Sequence, residues 1–505
     1  MFLEGNKLIY FIVLAVYLIL MVLVGLRFYR RNKNVSDYVL GGRTLNPWVA
    51  AMSAQASDMS GWLLLGLPGT AYVLFAGTTE AIWTAIGLAV GTYLNWLIVA
   101  KPLRRYTAKV GAITLPEFFA NRFGDKRGVI KAIASIFTMI FFLFYTASMF
   151  SAGAKLFNSV FGIPYIWSLI IGTVIIVSYT FLGGFLAVSW TDTFQGILMF
   201  LALIVAPIVA FIRLGGGAGL SAQLATLPEQ FSLIPKDGAG AVNVALLVSA
   251  IAWGLGYFGQ PHILPRFMAV KRTKDIRPAR VIAMIWVIIS LAMAVIVGLL
   301  GSFLYPGLAD SETVFITMVQ DLFSPVITGV LLSAILAAIM STADSQLLVT
   351  SSAVSNDLYK GLFKKDASDK KVLWVSRVAV IIVSVIAALL VCVENPAEGS
   401  ILAKINESVF KLVAFAWAGF GAAFGPLVLF SLFWKRTTKA GALCGMIAGG
   451  VSAFIWWYLE GGIFDIYEIL PGFVISCIVI VVVSLITKNP PEIEKTFKEV
   501  KAMKD

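Results

Sequence analysis

Three aspartates lie inside long apolar segments of this chain. Asp58 follows Ser57, Asp192 follows Thr191, and Asp344 lies in an otherwise apolar stretch. A carboxylate in the middle of a bilayer costs about 3 kcal/mol even on the more lenient insertion scales, so few sequences keep one without a use. These residues indicate cation chemistry. The alternatives are a helix cap or an internal hydrogen bond, in particular an N-cap for Asp192, and solvation in an aqueous vestibule for Asp344.

Four oxygen-bearing side chains crowd into five residues of the same segment as Asp344. They are Ser341, Thr342, Asp344 and Ser345. A hard monovalent cation such as sodium takes about five or six oxygens, which hydroxyls and freed backbone carbonyls supply at low charge. Hydroxyls in membrane helices also bond back to a carbonyl one turn earlier. Ser341, Asp344 and Ser345 share one helix face, and with Asp192 they predict a second cation position or a proton-sensitive step.

Two apolar segments are interrupted by glycine, proline and polar residues. The first runs from Ala51 to Trp62 and on to Gly69, and the second from Ala252 to Pro261. Unwound backbone at membrane depth is tolerated only where it lines a protein cavity. Two such breaks in corresponding halves of a chain point to the binding site of a secondary transporter. Four aromatic residues lie at or near the breaks: Trp62, Tyr145, Trp253 and Tyr257. We expect them to form the walls of a small pocket, although membrane aromatics also serve as interfacial anchors.

The composition is that of a polytopic membrane protein. Of 505 residues, 59% are hydrophobic and 13% charged, and thirteen segments are long and apolar enough to span a bilayer. Basic residues cluster in alternate loops, which hold 33 of the 39 Lys and Arg. Because cytoplasmic loops carry the positive charge, we expect the N-terminus outside and the C-terminus inside. The net charge of +12 reflects this asymmetry and does not predict nucleic-acid binding. No Walker motif occurs, so an ion gradient is the expected energy source.

Ten of the thirteen spans divide into two sets of five. An odd number per set inverts the second copy, as in transporters built from inverted repeats. We expect one membrane domain over 1–505, in which an extra N-terminal helix (8–26) precedes a first repeat (47–213) and a second repeat (241–433). Two C-terminal helices (440–487) and a short solvated tail helix (488–505) complete it.

Several long motifs resemble the sodium/solute symporter family. They are Ser36–Arg43, Ser53–Leu65 with Gly66–Gly69, Gly183–Thr193, Trp253–Leu264, Ser333–Thr342 and Ala416–Pro426, and the likeness covers nearly the whole chain. The resemblance implies an all-α LeuT-type fold with a 5+5 inverted repeat and alternating access.

The resemblance also implies roles for individual residues. Sodium would bind the backbone oxygens of Ala56, Met59 and Ala338 and the hydroxyls of Ser341 and Thr342. Asp58 matches a carboxylate tied to sodium affinity, and Arg43 a basic residue at the inner mouth. Positions associated with the substrate or its gates are Ser60, Gly61, Trp62, Tyr145, Trp253, Tyr257 and Pro261. Asp344 departs from the family pattern, which has a small hydroxyl residue there.

We therefore expect a sodium-driven importer of L-proline in a bacterial or archaeal inner membrane, without enzymatic activity and without an obligate protein partner. Na⁺ is the expected co-transported ion, and the lipid bilayer the expected surroundings. Two alternatives stay open. One is a sodium symporter for another amino acid or a carboxylate, and the other is a membrane sensor or channel of the same fold that does not couple transport.

Overall fold

The computed structural model describes residues 5–29, 35–182, 184–227, 232–236, 240–393, 396–397 and 399–503. The basic residues Arg30, Arg31 and Lys33, which contribute to the predicted orientation, and Gly183 of one motif lie outside this part. The helices of the first half are α1 Gly5–Tyr29, α2 Val35–Leu40, α3 Pro47–Asp58, α4 Leu67–Tyr72, α5 Ala76–Leu94, α6 Ala100–Lys109, α7 Leu115–Arg122, α8 Val129–Phe161, α9 Tyr165–Leu182, α10 Phe185–Arg213 and α11 Gly216–Ala225.

The helices of the second half follow the same pattern of long spans joined by short connecting helices. They are α12 Val244–Ala252, α13 Leu264–Ala269, α14 Ile276–Leu304, α15 Val314–Leu322, α16 Pro325–Ser352, α17 Asp369–Leu390, α18 Ile401–Ile405, α19 Val409–Phe433, α20 Lys439–Tyr458, α21 Ile469–Ile486 and α22 Pro491–Ala502.

Ten helices of the described part are long and apolar enough to cross a membrane. Two shorter apolar helices, Tyr165–Ser178 and Val244–Gly259, accompany them, as does the interrupted segment formed by α3 and α4. The count of thirteen spans stays a prediction. In the most apolar stretch of each span, the share of buried residues is 89% for α19 and 83% for Pro325–Phe363, but only 28% for α1 and for α21. Helices α16 and α19 therefore form the centre of the bundle, and α1 and α21 lie at its edge.

The first break lies between α3 and α4. Asn46 caps α3 by accepting a hydrogen bond from the Val49 amide (2.9 Å), and Pro47 occupies the first turn, as is typical of helix starts. At the other end, ψ of 77° at Met59 ends the helix. The chain continues through a π-helical segment, Trp62–Gly66, before α4 begins. Such π segments leave regular hydrogen bonding locally disturbed and occur at functional sites.

The second break joins α12 to α13 through a 3₁₀ helix, Trp253–Gly259, and a turn. Three glycines in this segment let it pass close to α5 and α19. A Cβ on Gly256 would lie 1.9 Å from Nε1 of Trp417, and one on Gly254 would lie 2.3 Å from the Gly87 carbonyl oxygen. Side chains at these positions would therefore push the second break out of the bundle core.

One prediction about the basic side needs correction. The tail helix α22 is not solvated on all sides, since Phe497 and Val500 are buried against the bundle. Their spacing of three residues puts both on one face of an otherwise charged helix.

Candidate ion and substrate site

The sodium ligands expected on α3 and α16 meet across the first break. The Ser341 hydroxyl donates to the Ala56 carbonyl at 2.7 Å, and the Thr342 hydroxyl lies 3.5 Å from the same oxygen. The Ala338 carbonyl is 3.2 Å from the Ser341 hydroxyl. Met59 follows in the break, where its amide bonds to the Gln55 carbonyl. All these residues are fully buried.

The distances around Ala56 indicate how a cation would fit. Two oxygens that bind one cation at about 2.4 Å and at right angles lie about 3.4 Å apart. The Thr342 separation from Ala56 matches this value, whereas Ser341 and Ala56 are at direct hydrogen-bond distance. If one cation bound both the Ser341 hydroxyl and the Ala56 carbonyl, the hydroxyl would have to turn its proton away and move back by several tenths of an ångström.

Asp58 links the two broken helices. Its Oδ2 accepts a hydrogen bond from the Tyr257 hydroxyl at 2.7 Å, while Oδ1 is buried without a hydrogen-bond partner among the described residues. The Asp58 carbonyl accepts from Nε1 of Trp62 (3.2 Å) and from the Tyr145 hydroxyl (3.4 Å). Asp58 is therefore not a helix cap for the backbone amides, and one carboxylate oxygen stays available for a cation.

The residues expected at the substrate site fall into two layers. Ser60, Gly61, Trp62, Tyr145 and Tyr257 are buried beside Asp58. Gly61 packs between α8 and α16, where a Cβ would lie 3.1 Å from Cβ of Ala152 and 3.2 Å from Cγ1 of Ile339. The Ser60 hydroxyl lies 3.4 Å from the amide of Trp62.

Trp253 lies above this layer and forms the floor of a cavity. Its ring is 6.3 Å from that of Trp62, stacks on Phe410 at 4.9 Å and approaches Tyr467 at 5.2 Å. Its carbonyl accepts a hydrogen bond of 2.8 Å from Trp417. The cavity above Trp253 has a volume of about 510 Å³ and opens on the predicted outer side, where Glu80, Lys404, Glu407, Lys411 and Glu460 are among its lining residues.

Pro261 is not part of this group. It lies after the 3₁₀ helix of the second break and lines a separate, small cavity with Thr114, Ser352 and Asp357 on the predicted cytoplasmic side. The structure therefore does not bring Pro261 together with Trp253, although the two residues belong to one motif.

Asp192 meets a cation that the sequence analysis did not anticipate. The Arg266 guanidinium lies 3.2 Å from Oδ2 of Asp192, and Arg266 also donates to the hydroxyls of Ser345 (2.5 Å) and Ser53 (3.1 Å). A further bond of 2.5 Å joins it to the His262 carbonyl. Arg266 is one of the 33 basic residues that the charge pattern assigned to cytoplasmic loops. That assignment is wrong for Arg266, which is fully buried on α13.

Two of the alternatives for the inner carboxylates are wrong, namely the N-cap for Asp192 and the solvation of Asp344, whereas both side chains do accept internal hydrogen bonds. Asp192 lies about two turns after the start of α10 and does not cap it. Asp344 is fully buried and so is not solvated. It accepts a hydrogen bond of 2.5 Å from the Thr180 hydroxyl on α9, and its other oxygen has no hydrogen-bond partner in the described part of the chain.

Arg43 lies on the predicted cytoplasmic side, where it joins separate parts of the chain. Its guanidinium donates to the carbonyls of Met268 (2.7 Å), Ala112 (2.7 Å) and Thr107 (3.0 Å) and to the Thr107 hydroxyl (3.2 Å). Burial lowers the pKa of Arg43 to about 10, so the side chain stays protonated at neutral pH. Next to it, the Leu45 amide donates to the Ala269 carbonyl (3.1 Å) and the Lys271 amide to the Leu45 carbonyl (2.9 Å).

The sequence analysis also missed a set of interactions made by Glu312 on the predicted outer side. Glu312 accepts hydrogen bonds from the amides of Val409 and Phe410 at the start of α19 (3.2 and 3.0 Å) and pairs with Lys155 at 2.5 Å. This carboxylate complements the positive end of the helix dipole. The only signal in the sequence was a glutamate that follows Pro306 and Gly307 by a few residues.

Known proteins resemble this chain over nearly its whole length. Residues 38–449 match the model of the sodium:solute symporter family. The high-affinity proline transporter of Bacillus subtilis is 47% identical over 479 residues, which cover 94% of this chain and 97% of that protein. The sodium/proline symporter of Escherichia coli is 47% identical over 498 residues, or 97% of this chain and 95% of that protein.

Solved structures resemble it in fold. A sodium-coupled sialic acid symporter in a substrate-bound, outward-open state superposes with a TM-score of 0.76 at 20% identity, covering 95% of this chain and 98% of that one. Mhp1, a transporter of the nucleobase-cation-symport-1 family, reaches a TM-score of 0.53 at 12% identity, over 92% and 99% of the two chains. The fold is thus the LeuT-type transporter fold that the motifs predicted. The chain belongs to the sodium:solute symporter family.

Proposed function

We propose that this protein imports L-proline together with Na⁺ by alternating access, in the cytoplasmic membrane of a prokaryote, with the N-terminus outside and the C-terminus inside. Support for the substrate comes from relatives that are about 47% identical over more than nine-tenths of this chain and are named for proline transport. Support for the orientation comes from the basic loops. The same proposal includes the two inverted repeats at 47–213 and 241–433.

One observation supports sodium as the coupling ion. The hydroxyls of Ser341 and Thr342 meet the Ala56 carbonyl at the end of α3, so a cation bound there joins the first broken helix to the centre of the bundle. Met59 and Ala338 would supply further carbonyl oxygens. Because no carboxylate belongs to this ligand set, the site has the low charge that suits a monovalent cation.

The substrate would bind above the sodium, against the aromatic layer. Proline carries a secondary ammonium, a carboxylate and an apolar ring. The free Oδ1 of Asp58 provides a negative charge for the ammonium or for sodium, and Tyr257 holds the carboxylate of Asp58 in place. The Trp62 and Trp253 rings would cover the apolar ring from either side, and Trp253 separates this pocket from the outer cavity.

The second cation position would lie around Asp192, Ser341, Asp344 and Ser345. Asp192 and Asp344 bring two carboxylates into one buried region, where Arg266 has the only guanidinium among the described residues. One negative charge is left over, and each carboxylate has one oxygen without a hydrogen-bond partner among the described residues. A second Na⁺ or a proton would balance the charge.

Opening alternates between two sides. The outer cavity of about 510 Å³ ends at Trp253, and the bonds of Arg43 close the inner mouth. An inward Na⁺ releases about 2.3 kcal/mol per 100 mV of membrane potential, plus roughly 1.4 kcal/mol for a tenfold gradient. This sum sustains roughly several hundredfold accumulation of solute per sodium.

Uptake of labelled proline into proteoliposomes tests the proposal. We expect uptake to require an inward sodium gradient, and unlabelled proline to compete better than other amino acids or carboxylates. Competition by a different solute would name another substrate, and an absence of sodium-dependent uptake of any solute would favour a sensor.

Two variants test the sodium site itself. Ser341→Ala and Thr342→Ala should each raise the sodium concentration for half-maximal uptake by about five- to thirtyfold, since each removes a ligand oxygen of about 1–2 kcal/mol. Proline affinity at low sodium should also fall, because the binding of sodium and the binding of proline are linked. Ser333→Ala is the matched control, because among the described residues this buried hydroxyl on α16 bonds only to the Gly329 carbonyl one turn earlier (2.8 Å). Unchanged sodium dependence in both site variants would place the ion elsewhere.

A further inference from the structure

A second cavity lies on the predicted cytoplasmic side, where α6, the end of α19 and the tail helix α22 meet. Its volume is about 130 Å³, and its lining residues are Pro102, Arg105, Tyr106, Leu432, Phe433, Phe497, Val500 and Lys501. Two of these eight residues are cationic and none is acidic. The cavity is far from the ion and substrate site in sequence and shares no residue with it.

A buried phenol faces this positive cavity. Tyr106 is 2% exposed, and its hydroxyl has no hydrogen-bond partner among the described residues. A hydroxyl that lines a cavity and lacks an internal acceptor is a donor for a bound anion. Buried polar groups without partners are rare in native proteins, so each one calls for an explanation.

A third cation adds to the positive potential. The guanidinium of Arg122 stacks on the rings of Tyr106 (5.5 Å) and Phe497 (4.9 Å), which are both lining residues. It is 1% exposed, and only its Nε has a described acceptor, the Ser431 carbonyl at 2.9 Å. Its Nη1 and Nη2 have no hydrogen-bond partner in the described part of the chain.

The walls of the cavity are apolar and reach the lipid-facing surface. Leu432 and Phe433 are the last residues of α19, and Phe433 is 51% exposed. A free anion gains nothing from such a wall, whereas a phospholipid places its phosphate against cations and its acyl chains against exposed apolar side chains. Basic pockets at the cytoplasmic ends of membrane helices are sites of this kind.

We propose that this cavity binds the phosphate group of an anionic phospholipid from the cytoplasmic leaflet. Arg105 and Lys501 supply the opposing charge, the Tyr106 hydroxyl donates a hydrogen bond, and Phe433 contacts the lipid chain. Since Lys501 lies on α22 and Arg105 on α6, the bound lipid joins the tail helix to the bundle. The site is independent of the transported solute.

The test uses the full-length protein in nanodiscs of phosphatidylcholine with and without phosphatidylglycerol. Two readouts are measured without any transport assay: the midpoint of thermal unfolding, and the number of retained lipids by native mass spectrometry. We expect phosphatidylglycerol to raise the midpoint of the wild type. The double variant Arg105→Gln/Lys501→Gln should bind phosphatidylglycerol at least about tenfold more weakly, as loss of charged hydrogen bonds implies, and Tyr106→Phe should lose part of the stabilisation.

A matched double variant separates the cavity from general surface charge. Lys495→Gln/Lys498→Gln removes two exposed cations from the same helix α22 without touching the cavity, and it should keep the wild-type response. An equal loss in both double variants would overturn the proposal. Tyr106→Phe keeps the ring packing, so it remains informative if the cavity double variant unfolds.

Free phosphate is the remaining rival. Inorganic phosphate or glycerol phosphate added to phosphatidylcholine nanodiscs should leave the midpoint unchanged, since neither can use the apolar wall. If free phosphate stabilises the wild type as strongly as phosphatidylglycerol does, the assignment to a lipid is wrong.

Discussion

Replacing Arg266 by glutamine would leave the carboxylate of Asp192 buried without its counter-charge. The loss of one partner of a buried ion pair costs about 3–5 kcal/mol. Arg266 donates to four groups, on Asp192, Ser345, Ser53 and His262, and a glutamine amide has only two N–H donors. Arg266→Gln should therefore fall at the upper end of this range.

The double variant Arg266→Gln/Asp192→Asn tests the electrostatic part of this cost. It removes both charges, and asparagine keeps the shape of aspartate, so it should recover more than half of the loss. The assay is denaturant unfolding of the purified protein in mixed micelles, read as the free energy of unfolding. Because stability and not transport is measured, a separate role of Asp192 in ion binding does not affect the result.

Arg272 provides the control, since it pairs with Asp275 at 2.9 Å but lies at the surface. Arg272→Gln should leave the unfolding curve nearly unchanged. The reasoning would be refuted if Arg266→Gln unfolded like the wild type, or if the double variant were less stable than the single one by the full cost of the second substitution.

Two further predictions concern transport. Trp253→Ala should raise the proline concentration for half-maximal uptake at saturating sodium by about tenfold, because the ring forms the roof of the proposed pocket and aromatic contacts contribute about 0.5–1.5 kcal/mol beyond buried area. Sodium binding measured without proline should stay close to wild type. Wild-type proline affinity in all three variants Trp62→Ala, Trp253→Ala and Tyr257→Ala would contradict the pocket. Asp344→Ser should lower the charge moved per proline or alter its pH dependence, because it removes the excess negative charge beside Arg266; identical charge ratios and pH profiles in the two reconstituted proteins would argue against a second cation.

The sequence predicted the class of fold because its signals were strong and local. Ser341 and Thr342 stand out as adjacent hydroxyls in an apolar helix, and glycine and proline mark both breaks. The structure brings the hydroxyls of Ser341 and Thr342 to the Ala56 carbonyl. A buried polar group requires a partner, so the polar residues of an apolar segment are good candidates for one site.

Arg266 and Pro261 show where such reasoning ends. Arg266 follows a proline near the expected end of a span, and the charge pattern alone assigned it to the adjacent basic loop. Its burial depends on α13 packing beside α6 and α3 and on the contact of Arg266 with Asp192 of α10, a long-range arrangement that no local pattern encodes. Pro261 is separated from Trp253 for a similar reason, because the chain turns after the 3₁₀ helix and carries it toward the other side.

At the predicted inner mouth, the Arg43 side chain bonds to two separate stretches of backbone, residues 107–112 and Met268. Arg43 bonds to Thr107, Ala112 and Met268 at once, and Met268 belongs to the inner part of the second broken helix. If that helix moves away, a single rigid guanidinium cannot follow all of its acceptors, so the bonds break together. A half-open mouth would keep the desolvation cost of the charge without its hydrogen bonds. We therefore expect the protein to spend little time in partly open forms through which sodium could leak without solute. The tightness of coupling would then depend on a residue outside the proposed ion and substrate site.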